Sequence, residues 1–133
     1  MSKLDRLRPA GLFHNPAFSQ VVVATGMRTV YIAGQVSIDE RGTVVGAGDL
    51  AAQTAQAMRN VGLALAAAGA SYADIVKLTT YVVDYKPEHR AVIGAARAPF
   101  FAEGVRPAST LVGVSALALP EWLVEIEAVA VVD

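Results

Sequence analysis

Residues 123–132 form a strand-like apolar run broken only by Glu125 and Glu127, two positions apart, and that pattern constrains the fold more than any other feature of the chain. Side chains of an extended segment point to opposite faces in turn, so Val124, Ile126, Ala128, Ala130 and Val132 share one face. A face that is wholly apolar must be covered by a second layer. Leu123, Glu125, Glu127, Val129 and Val131 share the other face. Two carboxylates therefore project side by side, about 6.5–7 Å apart along the strand.

Two segments have the spacing to provide the cover. Leu50, Thr54, Ala57, Met58, Val61 and Leu65 recur at helical intervals, with Asp49 placed to cap the start and Gly69 just past the end. Pro87 suits the first turn of a second helix with Val92, Ile93, Ala96 and Phe100 inward; Pro99 ends it early, and Gly104 closes the segment. Residues 18–25 and 29–37 are β-branched or apolar runs separated by Gly26, Met27 and Arg28, which predicts a β-hairpin. A turn at 39–42 leads to a brief strand at 43–45. Residues 75–84 contain six β-branched residues in ten, a strong strand signal, and residues 109–117 form the strand before the last. The order β-β-(β)-α-β-α-β-β describes an α+β domain, a mixed sheet with two helices. No linker or repeat interrupts it, so residues 1–133 read as one domain.

Composition narrows the function. The absence of cysteine excludes disulfides, zinc–thiolate and iron–sulfur sites and thiol nucleophiles. Eleven basic and 12 acidic residues are spread along the chain and leave a net charge of −1, which gives no footprint for nucleic acid or an anionic membrane. Apolar residues make up 54% and charged residues only 17%, more apolar surface than a small monomer can hide; a homo-oligomer is expected. Charges run through residue 8 without an apolar stretch of signal-peptide length, and the longest apolar run, 61–70, is too short for a membrane span. A soluble cytoplasmic protein is the expectation.

Several motifs have plainer explanations than chemistry. Residues 46–51 have the form GxGxxA, but no acidic residue follows some twenty positions on; a turn ending in an Asp49 N-cap accounts for them. His14 and His89 lack companion ligands at metal-binding spacing, so no metal is expected. Gly113, Ser115 and Leu117 lack the second glycine of a hydrolase nucleophile elbow. By parity Ser109, Leu111, Gly113 and Ser115 share a face that leaves room beside a carboxylate strand, if the register brings the two faces together.

The run Arg106-Pro107-Ala108-Ser109-Thr110-Leu111-Val112, followed by Val124-Glu125-Ile126-Glu127-Ala128, resembles the C-terminal signature of the RidA/YjgF family, the reactive intermediate imine/enamine deaminases also described as endoribonuclease L-PSP. Ile32-Ala33-Gly34-Gln35, Ile75-Val76-Lys77 and Phe100-Phe101 are similar to it as well, and the likeness extends from about Pro16 to Val132. The resemblance implies a chorismate-mutase-like α+β fold, with both helices packed on one face of the sheet, assembled as a homotrimer with ligand sites between subunits. It gives Glu125 the role of positioning or activating water for attack on a C=N carbon, and Gly34 a backbone role in the site. The family arginine that clamps a substrate carboxylate corresponds to Ser109 here, and its usual cysteine to Leu111; Phe18 and Gly94 replace a tyrosine and an asparagine. A charge-assisted hydrogen bond contributes about 1.5–3 kcal/mol, so the lost clamp implies weaker binding of small imino acids unless Arg97 or Arg106 compensates.

The resulting expectation is an imine or enamine deaminase that releases ammonia from a small reactive metabolite. Glu125 is its catalytic residue, and Phe18, Gly34, Gly94, Ser109 and Leu111 line an atypical pocket that needs no cofactor. The alternative is a non-catalytic trimeric small-molecule-binding protein of the same fold. Glu127 is open to either a place in the site or a structural pairing.

Overall fold

A computed structural model describes residues 2–133. The alternating C-terminal segment forms β6, Val124–Val132, and the face carrying Val124, Ile126, Ala128, Ala130 and Val132 is buried throughout. β3 (Arg28–Gln35) and β4 (Ile75–Val83) flank β6, both antiparallel to it, and β5 (Ala108–Val114) pairs in parallel with β4 at the edge. The order is β3-β6-β4-β5. A parallel pair cannot be joined by a tight turn, and α2 (His89–Arg97) makes the crossover between β4 and β5.

α1 (Leu50–Ala67) and α2 cover the apolar face. Met58, Val61 and Leu65 of α1 and Ile93 of α2 meet Leu78, Val82, Val124 and Ile126, and each of these side chains is at most 1% exposed. Full burial of such a side chain contributes about 1.5–3 kcal/mol, so this layer dominates stability. Asp49 caps α1 as its position predicts, accepting from the Ala52 N–H at 3.0 Å. Gly69, at φ +72°, lets the chain turn so that the Gly69 and Ala70 amides reach the carbonyls of Ala66 and Leu65. Pro99 stops α2, which gives way to a single 3₁₀ turn at Ala98–Phe100. Val92, expected inward, is 38% exposed on the outer side of this short helix.

Gln53 is the polar exception on the buried face of α1. Its amide donates to the carbonyls of Gly46 and Glu121 at 3.2 and 3.1 Å and accepts from the Leu123 N–H at 2.9 Å. These bonds tie the helix to the residues leading into β6. They thereby fix where Glu125 emerges.

The N-terminal region departs from expectation. β2 (Val21–Thr25) does not form a hairpin with β3; it pairs antiparallel with β1 (Lys3–Leu7) in a separate two-stranded sheet. The chain passes from one sheet to the other at Gly26, where a Cβ would stand 2.6 Å from Val131 Cγ1 and 2.9 Å from the Val132 carbonyl. That close passage over the end of β6 replaces a tight turn. The brief strand expected at 43–45 is reduced to an isolated bridge between Ile38 and Val44, and β5 ends at Val114 rather than at 117. Among the described residues no helix is long and apolar enough to cross a membrane.

Candidate functional site

The other face of the sheet is not covered by helices. Glu125 and Glu127 of β6, both half-buried, project there beside Tyr81, Thr79 and Lys77 of β4. Lys77 Nζ donates to Thr110 Oγ1 of β5. Across β6, the register with β3 jumps between the pairs Ile32–Ala128 and Gln35–Ile126. Ala33 and Gly34 thus stand opposite the single residue Glu127, a β-bulge of the kind that re-aims side chains beside functional sites.

Gly34 is at that bulge because the Glu125 side chain occupies the space a Cβ would need. A Cβ at position 34 would lie 2.6 Å from Glu125 Cδ and 2.9 Å from its Oε2. The carboxylate rests on bare backbone, and no hydrogen bond to it is found among the described residues. It is therefore free to bind a water or a ligand. Glu127 is differently engaged: the Tyr81 hydroxyl donates to its Oε1 at 2.5 Å. That hydrogen bond, reinforced by desolvation and by the charges of Glu127 and then Glu125, raises the Tyr81 phenol above its ordinary range.

Tyr81 is the site residue that the sequence reading missed. The parity argument applied to β6 would have found it, since Leu78, Thr80 and Val82 are buried and Lys77, Thr79 and Tyr81 must face the other way.

Of the residues anticipated from the sequence, only Gly34 meets Glu125 within the chain. β4 lies between β5 and β6, so the two strands are not neighbours. In that register Ser109 aligns with Leu78 and Leu111 with Thr80, which puts both on the helix-covered face, opposite to Glu125. Leu111 packs against the core there. Arg97 of α2 reaches under the sheet, donating from Nη1 to Thr80 Oγ1 at 3.0 Å and to Ser109 Oγ at 3.4 Å. Burial holds the Arg97 guanidinium below its usual proton affinity, and the charge of Arg106 adds to the effect. Phe18 is brought to the start of β5 by its neighbour Ser19, whose N–H donates to the Pro107 carbonyl at 3.0 Å and whose hydroxyl donates to the Arg106 carbonyl at 2.6 Å. Gly94 faces open space on α2. Among the described residues no group of three or more His, Cys, Asp or Glu side chains is placed to hold a metal ion.

The sheet order, the two helices on one face and the carboxylate at the bulge define a class. Residues 12–132 match the family model described as endoribonuclease L-PSP, and the chain belongs to that family, the RidA/YjgF family its last two strands resemble. A RutC family protein of Pyrococcus horikoshii is 36% identical over 85% of each chain. The human 2-iminobutanoate/2-iminopropanoate deaminase is 36% identical over 50% of this chain and 47% of its own. Among solved structures, YyfB of Yersinia pestis, described as a protein of unknown function of the conserved Rid family, is 44% identical over 96% of this chain and 98% of its own, with a TM-score of 0.90.

Proposed function

We propose that the protein hydrolyses the C=N bond of a small imine or enamine, with Glu125 as general base, in a site between the subunits of a homotrimer. The observation that carries this reading is the Glu125 carboxylate folded onto Gly34, half-buried and without a donor among the described residues. A water held by Glu125 loses a proton to it as the oxygen attacks the imine carbon, and the C=N π electrons move to nitrogen. Glu125 returns that proton to nitrogen to give a carbinolamine; its hydroxyl proton then passes through Glu125 to the amino group, and the C–N bond breaks to release ammonia as the C=O bond forms. General base catalysis of this kind contributes about 10²–10⁴-fold. Glu127 and Tyr81 form the adjacent wall and hold the carboxylate strand's open face polar. The deaminase names among the relatives support the same reaction class.

The uncovered sheet face, where Tyr31 is 80% and Val112 40% exposed, supports an assembly of copies of this chain. Phe18, Gly94, Ser109 and Leu111, which stand away from Glu125 in one chain, complete the pocket from a neighbouring copy. Light scattering checks the assembly: a mass three times the 13.9 kDa chain is expected, and a monomer at micromolar concentration overturns a site between subunits.

Activity is tested on imines generated by amino-acid oxidase from small, branched and aromatic amino acids, with semicarbazide trapping whatever remains. Faster imine loss than in buffer is expected for at least one member. No acceleration across the panel overturns the hydrolase reading and leaves the cleft to a non-catalytic binding protein.

A further inference from the structure

Glu127 has no step in the hydrolysis, yet it takes the phenol that stands nearest to Glu125. In the register of β4 with β6, Tyr81 lies directly opposite Glu125, while Thr79 lies opposite Glu127. Opposed side chains on one face of an antiparallel pair have Cβ atoms about 4.5–5.5 Å apart, whereas diagonal neighbours are about 7–8 Å apart. The Tyr81 hydroxyl nevertheless passes over its nearer partner and donates to Glu127 Oε1 at 2.5 Å. Glu125 remains close enough for its charge to add to the raised proton affinity of the phenol.

Glu125 therefore has two places to rest. On the β3 side is the bare backbone of Gly34, where a Cβ would come within 2.9 Å of its Oε2. On the β4 side is Tyr81. A phenol has one proton and gives it to one acceptor at a time, so while Glu127 holds it there is none for Glu125. The other ionisable side chains of β3 and β4 on this face are Tyr31, opposite Val129, and Lys77, whose Nζ donates to Thr110 Oγ1. Among the described residues neither is bonded to Glu125.

We infer that Glu127 is a positioning residue: by occupying the Tyr81 hydroxyl it keeps the Glu125 carboxylate on Gly34, with its lone pairs available to water. The catalytic consequence rests on the hydrolase reading above, but the geometry can be tested apart from it. Hydrogen bonds to an ionised carboxylate are roughly twice as strong as neutral ones, so a phenol released from Glu127 takes Glu125 in its place. A carboxylate captured there is drawn off the bulge, and a displacement of about 1 Å costs about 10²-fold in rate.

Steady-state kinetics on the best imine of the panel test the consequence. Glu127→Ala is expected to lower kcat by about tenfold or more while KM changes by less than about threefold. Glu127→Gln, whose amide oxygen still accepts from Tyr81, should keep a kcat at least about fivefold above that of Glu127→Ala. Adding Tyr81→Phe to Glu127→Ala should raise kcat again by about fivefold or more, because no phenol proton is left to capture Glu125. A merely structural loss does not reverse when a second polar group is removed. No recovery in the double variant overturns the inference, and so does a Glu127→Ala kcat within about twofold of the unaltered protein.

Ultraviolet titration at 295 nm tests the same point without turnover. In Glu127→Ala the Tyr81 phenol, identified by its loss on adding Tyr81→Phe, is expected to titrate above its ordinary value near 10, and adding Glu125→Gln should bring it down. A Tyr81 phenol at its ordinary value in Glu127→Ala overturns the inference whether or not any imine is hydrolysed. Absence of turnover in the unaltered protein, by contrast, overturns only the hydrolase reading.

Discussion

The two faces of one sheet have opposite characters although the same strands build both. On the helix-covered face the polar groups are spoken for: Thr80 Oγ1 and Ser109 Oγ accept from Arg97, and Gln53 uses its amide three times. On the open face Glu125 has bare backbone beneath it and no donor among the described residues, one residue away from Ile126, which is fully buried. The lesson is about position within a strand. A shift of one residue moves a side chain from the layer that determines stability to the layer available for chemistry.

Substitutions on the two faces sharpen this contrast. The largest effect on stability is expected for Ile126→Ala, which removes about 2–5 kcal/mol by leaving a cavity in the core; denaturant unfolding measures it. Glu125→Gln, at the adjacent position, should change stability by less than about 0.5 kcal/mol in the same experiment, because the amide keeps the shape of a half-buried side chain that has no donor to lose among the described residues. A loss comparable to that of Ile126→Ala would break the comparison.

Gly34→Ala is expected to act on chemistry more than on folding. The new methyl group meets the end of a flexible side chain, so Glu125 swings aside and the fold persists. A displacement of about 1 Å costs about 10²-fold in rate, measurable as kcat/KM on the best imine of the panel. Unchanged turnover in Gly34→Ala would detach the bulge from the site.

A smaller effect follows from the Tyr81–Glu127 bond. Glu127→Gln should bring the Tyr81 phenol back toward its ordinary value near 10, seen by ultraviolet titration at 295 nm. In the unaltered protein the folded-state pKa is raised above the unfolded one. The stability this bond contributes is therefore full below pH 10 and is lost as pH rises through the folded value. A Tyr81 titration that does not move would separate the two residues.

Much of the helix-covered face was legible in the sequence because local signals agree there. Asp49, Gly69 and the spacing of Ala57, Met58, Val61 and Leu65 each specify the same helix, and the alternation of β6 specifies its buried side. The N-terminal pairing was not legible. Residues 18–25 and 29–37 carry strand propensity, but propensity does not choose a partner, and Gly26 joins two sheets instead of turning one hairpin. The face of Ser109 was likewise beyond reach, since it depends on β4 lying between β5 and β6. Glu125 and Gly34 were individually recognisable, whereas their contact rests on a bulge that no local pattern announces.

The most direct test of the account compares Glu125→Gln with the unaltered protein in two assays, imine hydrolysis and binding of the corresponding 2-oxo acid. The amide keeps the shape and removes the base, so turnover should fall by at least 10²-fold while 2-oxo acid affinity stays within about threefold. Turnover preserved in Glu125→Gln would contradict the central claim and move the chemistry to another group.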